Sequence, residues 1–184
     1  MRLLLHVCCG SCALGPQETL KKEGIQLTGY WYNPNIHPYS EYQCRLMTAG
    51  FLFGKLQIPL IVEEADFSGF LAGLVKAQRD GKRCLFCWQQ RLEKTALVAK
   101  KGGYDGFTTT LLASSHQDHQ ALKELGLEIG GRTGILFVYR DFRLGGKEAR
   151  SESRRLGLYH QNYCGCLYSE WERNNKKVGR EGGI

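Results

Sequence analysis

Apolar positions along the chain fall into two alternating patterns. Short, nearly continuous apolar or aromatic runs recur at Leu3–Val7, Gln26–Tyr32, Ile58–Val62, Gly106–Leu111 and Ile135–Tyr139. Runs this brief predict strands, and the continuous hydrophobicity of Leu3–Val7 predicts one buried on both faces. Longer segments between them predict helices over Cys12–Glu23, Ser40–Leu56, Asp66–Arg79, Cys87 to Gly102-Gly103, and His116–Leu125. Gly24 and Gly126 follow two of these as the residue favoured just past a helix end. Ser40 with Gln43 three residues on reads as a capping box, and Asp66 as an N-cap. Pro34 and Pro38 disfavour helix in the residues before them, so Asn33–Pro38 is a loop. Strands alternating with such helices predict an α/β chain with a parallel sheet. Ligands in such sheets sit beyond the carboxyl ends of the strands, and Cys8 and Cys9 directly follow the first one.

No internal repeat, low-complexity tract or linker interrupts the 184 residues, so residues 1–184 are expected to form a single domain. Residues from about 145 to 184 read as a basic helical extension of it. The helical stretches Gly145–Gly157 and Cys164–Lys177 and the residues after them carry Lys147, Arg150, Arg154, Arg155, Arg173, Lys176, Lys177 and Arg180. This is a solvated face or a surface for RNA phosphates, and both readings stand. The excess of 25 Lys and Arg over 18 Asp and Glu gives a net charge of +7. That surplus suits a polyanionic partner and is nearly as common among enzymes of small ligands. No apolar run approaches the roughly 20 residues that cross a bilayer. The apolar start is broken by His6 and ends in Cys8-Cys9 rather than in a small-residue cleavage site. A cytoplasmic protein without a membrane partner is expected.

The eight cysteines change the picture. They cluster at Cys8, Cys9 and Cys12, at Cys84 and Cys87, and at Cys164 and Cys166, with Cys44 alone. Clusters of this kind in a cytosolic chain point to metal binding or catalysis. Cys84-Leu85-Phe86-Cys87 opens a helix, where backbone amides favour thiolates, and fits zinc, an iron–sulfur cluster or a redox dithiol. Adjacent residues on a regular strand point to opposite faces, so Cys8 and Cys9 share one centre only where the backbone bends, as Gly10 and Ser11 permit. Cys8, Cys9, Cys84 and Cys87 then supply four thiolates, the complement of a [4Fe–4S] cluster or a structural zinc. Their position at a sheet's ligand-binding edge favours the cluster. Cys12 reads as an extra ligand or a buried small residue, and Cys44 as core. Cys164-Gly165-Cys166 can close a small, strained and readily reduced disulfide, which suits a catalytic redox pair; extra metal ligands or free thiols are the alternatives.

The chain resembles the epoxyqueuosine reductases of the QueH type from about Leu4 to Arg173. The resemblance rests on Cys8-Cys9-Gly10-Ser11-Cys12, Tyr32–Pro38 with Glu41-Tyr42, Arg83–Cys87, Arg91-Leu92, Thr95-Ala96 and Asp105–Leu112. It continues through Tyr139–Arg143, Leu158-Tyr159, Gln161 and Tyr163–Cys166. Ser115-His116 and Gly146 depart from the family's usual residues. The resemblance implies reduction of epoxyqueuosine to queuosine at the wobble position of tRNA, without cobalamin. It further implies a Rossmann-like fold similar to the adenine nucleotide alpha hydrolase group, whose glycine-rich phosphate loop is replaced here by Cys8–Cys12. The expected partners are tRNA containing epoxyqueuosine and an unidentified electron donor.

Turning an epoxide into an alkene takes two electrons and two protons and expels water. Iron near Cys8 and Cys9 is expected to act as Lewis acid on the epoxide oxygen, either in the cluster or as an additional iron, while Cys164 and Cys166 cycle between dithiol and disulfide. Asp105, Asp118, Asp141 and His116 are candidate general acids, each also readable as a structural or surface residue, and Asp105 as an iron ligand. The loop Tyr32–Tyr42 either stacks an anticodon base or packs beside the sheet. A zinc-stabilised RNA-binding module and a thiol-based sulfur-transfer or disulfide enzyme are the competing classes.

Overall fold

The computed structural model describes residues 1–181, with side chains described through residue 175. Five strands form one all-parallel sheet: β1 (Arg2–His6), β2 (Gln26–Trp31), β3 (Leu60–Val62), β4 (Gly106–Thr109) and β5 (Leu136–Phe137), in the order β3-β2-β1-β4-β5. Helices α1 (Gly10–Lys22), α2 (Tyr39–Lys55), α3 (Phe67–Arg79), α4 (Arg83–Lys101), α5 (His119–Thr133), α6 (Gly146–Arg155) and α7 (Leu167–Glu181) complete the fold. This is an α/β, Rossmann-like arrangement, as the alternation of patterns predicts.

The centre of the sheet is β1, paired with β2 on one edge and β4 on the other, in registers that set Leu5 beside Gly29 and His6 beside Thr109. Leu3, Leu4 and Leu5 are fully buried because helices cover both faces. On one face Leu4, Tyr30 and Phe107 pack against Leu92 and Ala96 of α4 and Leu122 and Ile129 of α5. On the other, Leu5 and Trp31 pack against Ala13 and Leu14 of α1 and Leu52 and Phe53 of α2. The order of the strands places the topological switch point between β1 and β4. The chain leaves β1 toward one edge and β4 toward the other, and the two strand ends open a crevice between them.

Several boundaries depart from the sequence reading, each for a packing reason. Pro38, not Ser40, occupies the N-cap of α2; Ser40 lies inside the first turn and Gln43 turns to the Tyr39 hydroxyl, 2.5 Å away. The helix bearing Cys84 and Cys87 starts at Arg83 rather than Cys87, so both cysteines lie within its first turns. Gly126 does not stop α5. It lies mid-helix because a β-carbon there would meet Phe137 Cε1 at 2.3 Å, and only glycine lets α5 settle onto β5. The helix ends instead at Gly134, which takes the left-handed conformation. Cys164, Gly165 and Cys166 precede α7 rather than belonging to it. Lys147, Arg150, Arg154 and Arg155 are exposed, and the side chains of Lys176, Lys177 and Arg180 lie outside the described residues.

The fit of Gly126 against Phe137 gives a direct test. Gly126→Ala should lower unfolding stability by about 1–2 kcal/mol, net of the ~1 kcal/mol that alanine gains as a helix former. Chemical denaturation measures it, and an unchanged or raised midpoint would show that Phe137 yields without cost.

Candidate active site

The crevice at the switch point is lined with sulfur. Cys8 leaves β1 beside Thr110, which follows β4. The Cys8 amide donates to Thr110 Oγ1 at 3.1 Å, and that hydroxyl donates to Cys8 Sγ at 3.2 Å. Cys9 takes extended backbone as the N-cap of α1, and its sulfur accepts the Cys12 amide at 3.2 Å, the place usually held by a serine or aspartate oxygen. One helical turn brings Cys12 round to the same point, so the sulfurs of Cys8, Cys9 and Cys12 all lie within 4.8 Å of one another.

These thiols share charge unequally. Donation from the Cys12 and Cys9 thiols, with Thr110 behind them, holds Cys8 well below the usual thiol range despite its burial. Burial pushes Cys9 up to about 12, and hydrogen bonding to Cys8 and Cys9 raises Cys12. A single thiolate on Cys8, steadied by two thiols, is therefore the resting state of the metal-free triad. The segment after α6 closes over it: Gln161 Nε2 donates to Cys12 Sγ at 2.8 Å and Gln161 Oε1 accepts from Ser11 Oγ at 3.2 Å.

Cys84 and Cys87 stand outside the 4.8 Å group. Cys84 is exposed, whereas Cys87 is buried among Phe70, Leu74, Phe86 and Tyr168, where burial pushes its thiol up to about 11. They face the third pair: the charges of Cys87 and Cys164 act on one another, as do those of Cys87 and Cys166. Donation by the Cys166 thiol, opposed by burial and helped by Ser169, lowers Cys164 to about 5, while Cys166 is pushed up by Cys164 and by its own burial. The motif thus pairs a ready thiolate at Cys164 with a proton-bearing thiol at Cys166.

Sequence reasoning missed the charged residues that hold these thiols. Arg91, buried in α4, donates through Nε to the Cys87 carbonyl at 3.1 Å, and its charge acts on Cys87, Cys164 and His6. Arg45 is also buried and paired with Glu41, with both Nε and Nη2 at 2.7 Å from Oε1. An arginine and a glutamate four residues apart read from sequence as an ordinary surface pair; only the fold shows the pair inside.

The candidate general acids do not gather at the crevice. Asp105 lies at the opposite end of the sheet, where its carboxylate accepts the Arg2 amide at 2.7 Å, which overturns its placing beside the iron. Asp118 caps α5 through the Ala121 amide at 3.0 Å. Asp141 is bound to Arg143, which holds its carboxyl down at about 2. His116 is exposed beside Ser114. The loop from Tyr32 to His37 is packed, with Asn33, Asn35 and His37 all buried, so those side chains do not form an open stacking platform; Tyr39 beyond them is exposed. No helix among the described residues is long and apolar enough to cross a membrane.

His6 lies directly beneath the crevice, fully buried, with Nδ1 2.9 Å from Thr109 Oγ1. Burial, reinforced by Arg91, lowers it from 6.5 to about 4. The unfolded chain therefore takes up a proton that the folded chain refuses, so stability falls as pH drops from the unfolded value toward the folded one. Acidification from about pH 7 to about pH 5 should cost the metal-free protein about 2 kcal/mol through this group. The difference is read by denaturant unfolding at the two pH values. His6→Gln should lose most of that pH dependence; if it keeps the wild-type slope, another group is responsible.

A family model described as Epoxyqueuosine reductase QueH matches residues 3–172. The protein of that name from Dehalococcoides mccartyi is 38% identical over 175 residues, covering 95% of this chain and 96% of its own length. Those from Thermotoga maritima and Haemophilus influenzae are 34% and 33% identical, over 95% and 98% of this chain and 93% and 77% of theirs. The matched span takes in β1 through most of the described part of α7, and with it every cysteine of the crevice and of the Cys164–Cys166 motif. The chain belongs to the epoxyqueuosine reductase QueH family.

Proposed function

We propose that the protein is an oxidoreductase that converts epoxyqueuosine to queuosine at the wobble position of tRNA, with a [4Fe–4S] cluster and the Cys164–Cys166 pair as its redox groups. The observation that carries this reading is the convergence of two sulfur sets of different character: a Cys8–Cys9–Cys12 triad in the ligand-binding crevice and a thiolate–thiol pair beside Cys87. The donor set suits a thiolate-bound metal group. Cys8, Cys9 and Cys12 are already assembled within 4.8 Å, and Cys84 and Cys87 are the thiols expected to join Cys8 and Cys9 as ligands. When bound, a [4Fe–4S] cluster, with or without an additional iron, supplies one-electron transfer and a Lewis-acid position for the epoxide oxygen.

The protein's own groups account for the stoichiometry. Removing the epoxide oxygen breaks two carbon–oxygen bonds, forms a carbon–carbon double bond and releases water, consuming two electrons and two protons. Oxidation of Cys164 and Cys166 to a disulfide releases two electrons. The Cys166 thiol, whose proton is held tightly until the sulfur–sulfur bond forms, gives up one proton, and solvent supplies the second. An external reductant, a dithiol or a one-electron donor, restores the pair for the next turnover. Exposed Lys147, Arg150 and Arg154 on α6 are candidates for tRNA phosphate contacts.

Two measurements test the proposal. Protein purified without oxygen should be brown and carry about four or more irons with matching labile sulfide. Cys8→Ser and Cys87→Ser should each lose most of that iron. Stoichiometric zinc and no colour would exclude electron transfer through a cluster and leave an RNA-binding or thiol-based role. Cys164→Ser should keep its iron yet fall at least roughly tenfold in multiple-turnover reduction of epoxyqueuosine tRNA, since the resolving disulfide can no longer form. Full multiple-turnover activity in that variant would remove the pair from the mechanism.

A further inference from the structure

Beyond the cysteines themselves, the loop that carries Cys164 and Cys166 is fixed in an unusual way. The carbonyls of three consecutive residues are bound by groups from one neighbouring segment. Arg45 Nη2 donates to the Tyr163 carbonyl at 3.0 Å, Arg45 Nη1 to the Cys164 carbonyl at 3.3 Å, and the His37 amide to the Gly165 carbonyl at 2.7 Å. The Tyr163 hydroxyl returns to the His37 carbonyl, and its ring lies 5.4 Å from the Arg45 guanidinium. Glu41 fixes the guanidinium through Oε1 and accepts the Tyr159 hydroxyl through Oε2, so residues 159 to 165 are read by one turn of α2 and the loop before it.

A trans peptide is planar, so fixing its carbonyl also aims its amide in the opposite direction. With the Gly165 carbonyl turned to His37, the following amide, that of Cys166, is aimed at the Cys164 sulfur. Gly165 has φ +114°, in the region open to glycine, and a β-carbon there would meet Ile36 at 3.0 Å and Asn35 at 3.2 Å. Orientation of this peptide is thus imposed from the α2 side, by groups that never touch either sulfur.

We propose that the Glu41–Arg45 pair is the positioning device of the redox motif: by gripping the Tyr163 and Cys164 carbonyls it keeps the Cys166 amide trained on the Cys164 sulfur and so sets that thiol's reactivity. The role of Cys164 and Cys166 in turnover is the reading given above; the positioning role itself concerns the chemistry of the free thiols. Other groups facing Cys164 are Cys166 and Ser169 from its own segment and Cys87 and Arg91 from α4, and none of them is changed in the test.

The test is the pH profile of alkylation at Cys164 in metal-free, reduced protein, followed residue by residue by mass spectrometry. Exposed Cys44 serves as the internal standard. In Arg45→Lys, which keeps the charge and loses the forked grip, the Cys164 midpoint should move upward by about one pH unit, with roughly tenfold slower alkylation below the midpoint. Cys44 should not change. Glu41→Gln, which frees the guanidinium, should move the midpoint in the same direction. Tyr163→Phe keeps the ion pair and loses only the hydroxyl bond to His37; it should give a smaller upward shift and decides the matter if the Arg45 and Glu41 variants do not fold. An unshifted Cys164 profile in folded Arg45→Lys, or in Tyr163→Phe where that is the only folded variant, overturns the proposal. Because no tRNA enters the measurement, its result is separate from the turnover assay on Cys164→Ser: a failed redox role and a failed positioning role give different data.

Discussion

Everything at the candidate site depends on the parallel pairing of β1 with β4, fully buried and flanked by strands that run away in opposite directions. Parallel strands buried on both faces tolerate few polar side chains, and β1 accordingly spends Leu3, Leu4 and Leu5 on packing before any chemistry begins. The first residues free of the ladder are Cys8 and Cys9, and the matching position after β4 is Thr110. Its hydroxyl then serves both the Cys8 amide and the Cys8 sulfur. A sulfur triad can form there because the end of one strand and the start of α1 bend three cysteines toward a single point, while the crevice admits a ligand from the open side.

Burying this much sulfur near neutral pH needs compensation, and the fold provides it with two arginines rather than with solvent. Arg91 is buried without a carboxylate partner among the described residues, and its charge is set against the thiols of Cys87 and Cys164. Arg45 is buried with Glu41 and leaves its remaining donors for the backbone of the redox loop. A buried ion pair contributes little net stability over an apolar replacement. Its value here lies in direction: a guanidinium presents its donors in a rigid plane, and once Glu41 occupies one side the other can only point at the carbonyls beside Cys164.

How much of this was legible in the sequence depends on the range over which each interaction acts. The strand runs were legible because burial on both faces leaves its mark within five or six consecutive residues. Asp66 was legible as a cap because capping is local, and the structure pairs it with the Gly69 amide at 2.9 Å. Gly126 misled because a glycine that ends a helix and one that admits a neighbouring ring look alike until Phe137, eleven positions on, is brought beneath it. The Ser40–Gln43 spacing misled because Pro38 had already taken the cap. At the site, the pairs of cysteines were visible and their grouping was not: Cys12 joins Cys8 and Cys9 only once the first turn of α1 is built, and the relation of Cys87 to Cys164 spans more than seventy residues.

The segment between α6 and α7 resolves what would otherwise be two unrelated sulfur sites. Within eight residues it sends Tyr159 to Glu41, Gln161 to Cys12 and Ser11, Tyr163 to His37, and Cys164 toward Cys87. Few of these contacts would hold the segment alone, since a single hydrogen bond contributes about 1 kcal/mol net. Together they tie the crevice cysteines of β1 and α1 to those of α4 through one stretch of backbone. A substitution that loosens Arg45 or Tyr163 therefore acts on the position of the redox pair relative to the triad as well as on the pair itself. Electron transfer between sulfur groups depends on their separation as much as on their potentials. The fold makes both properties answer to the same turn of α2.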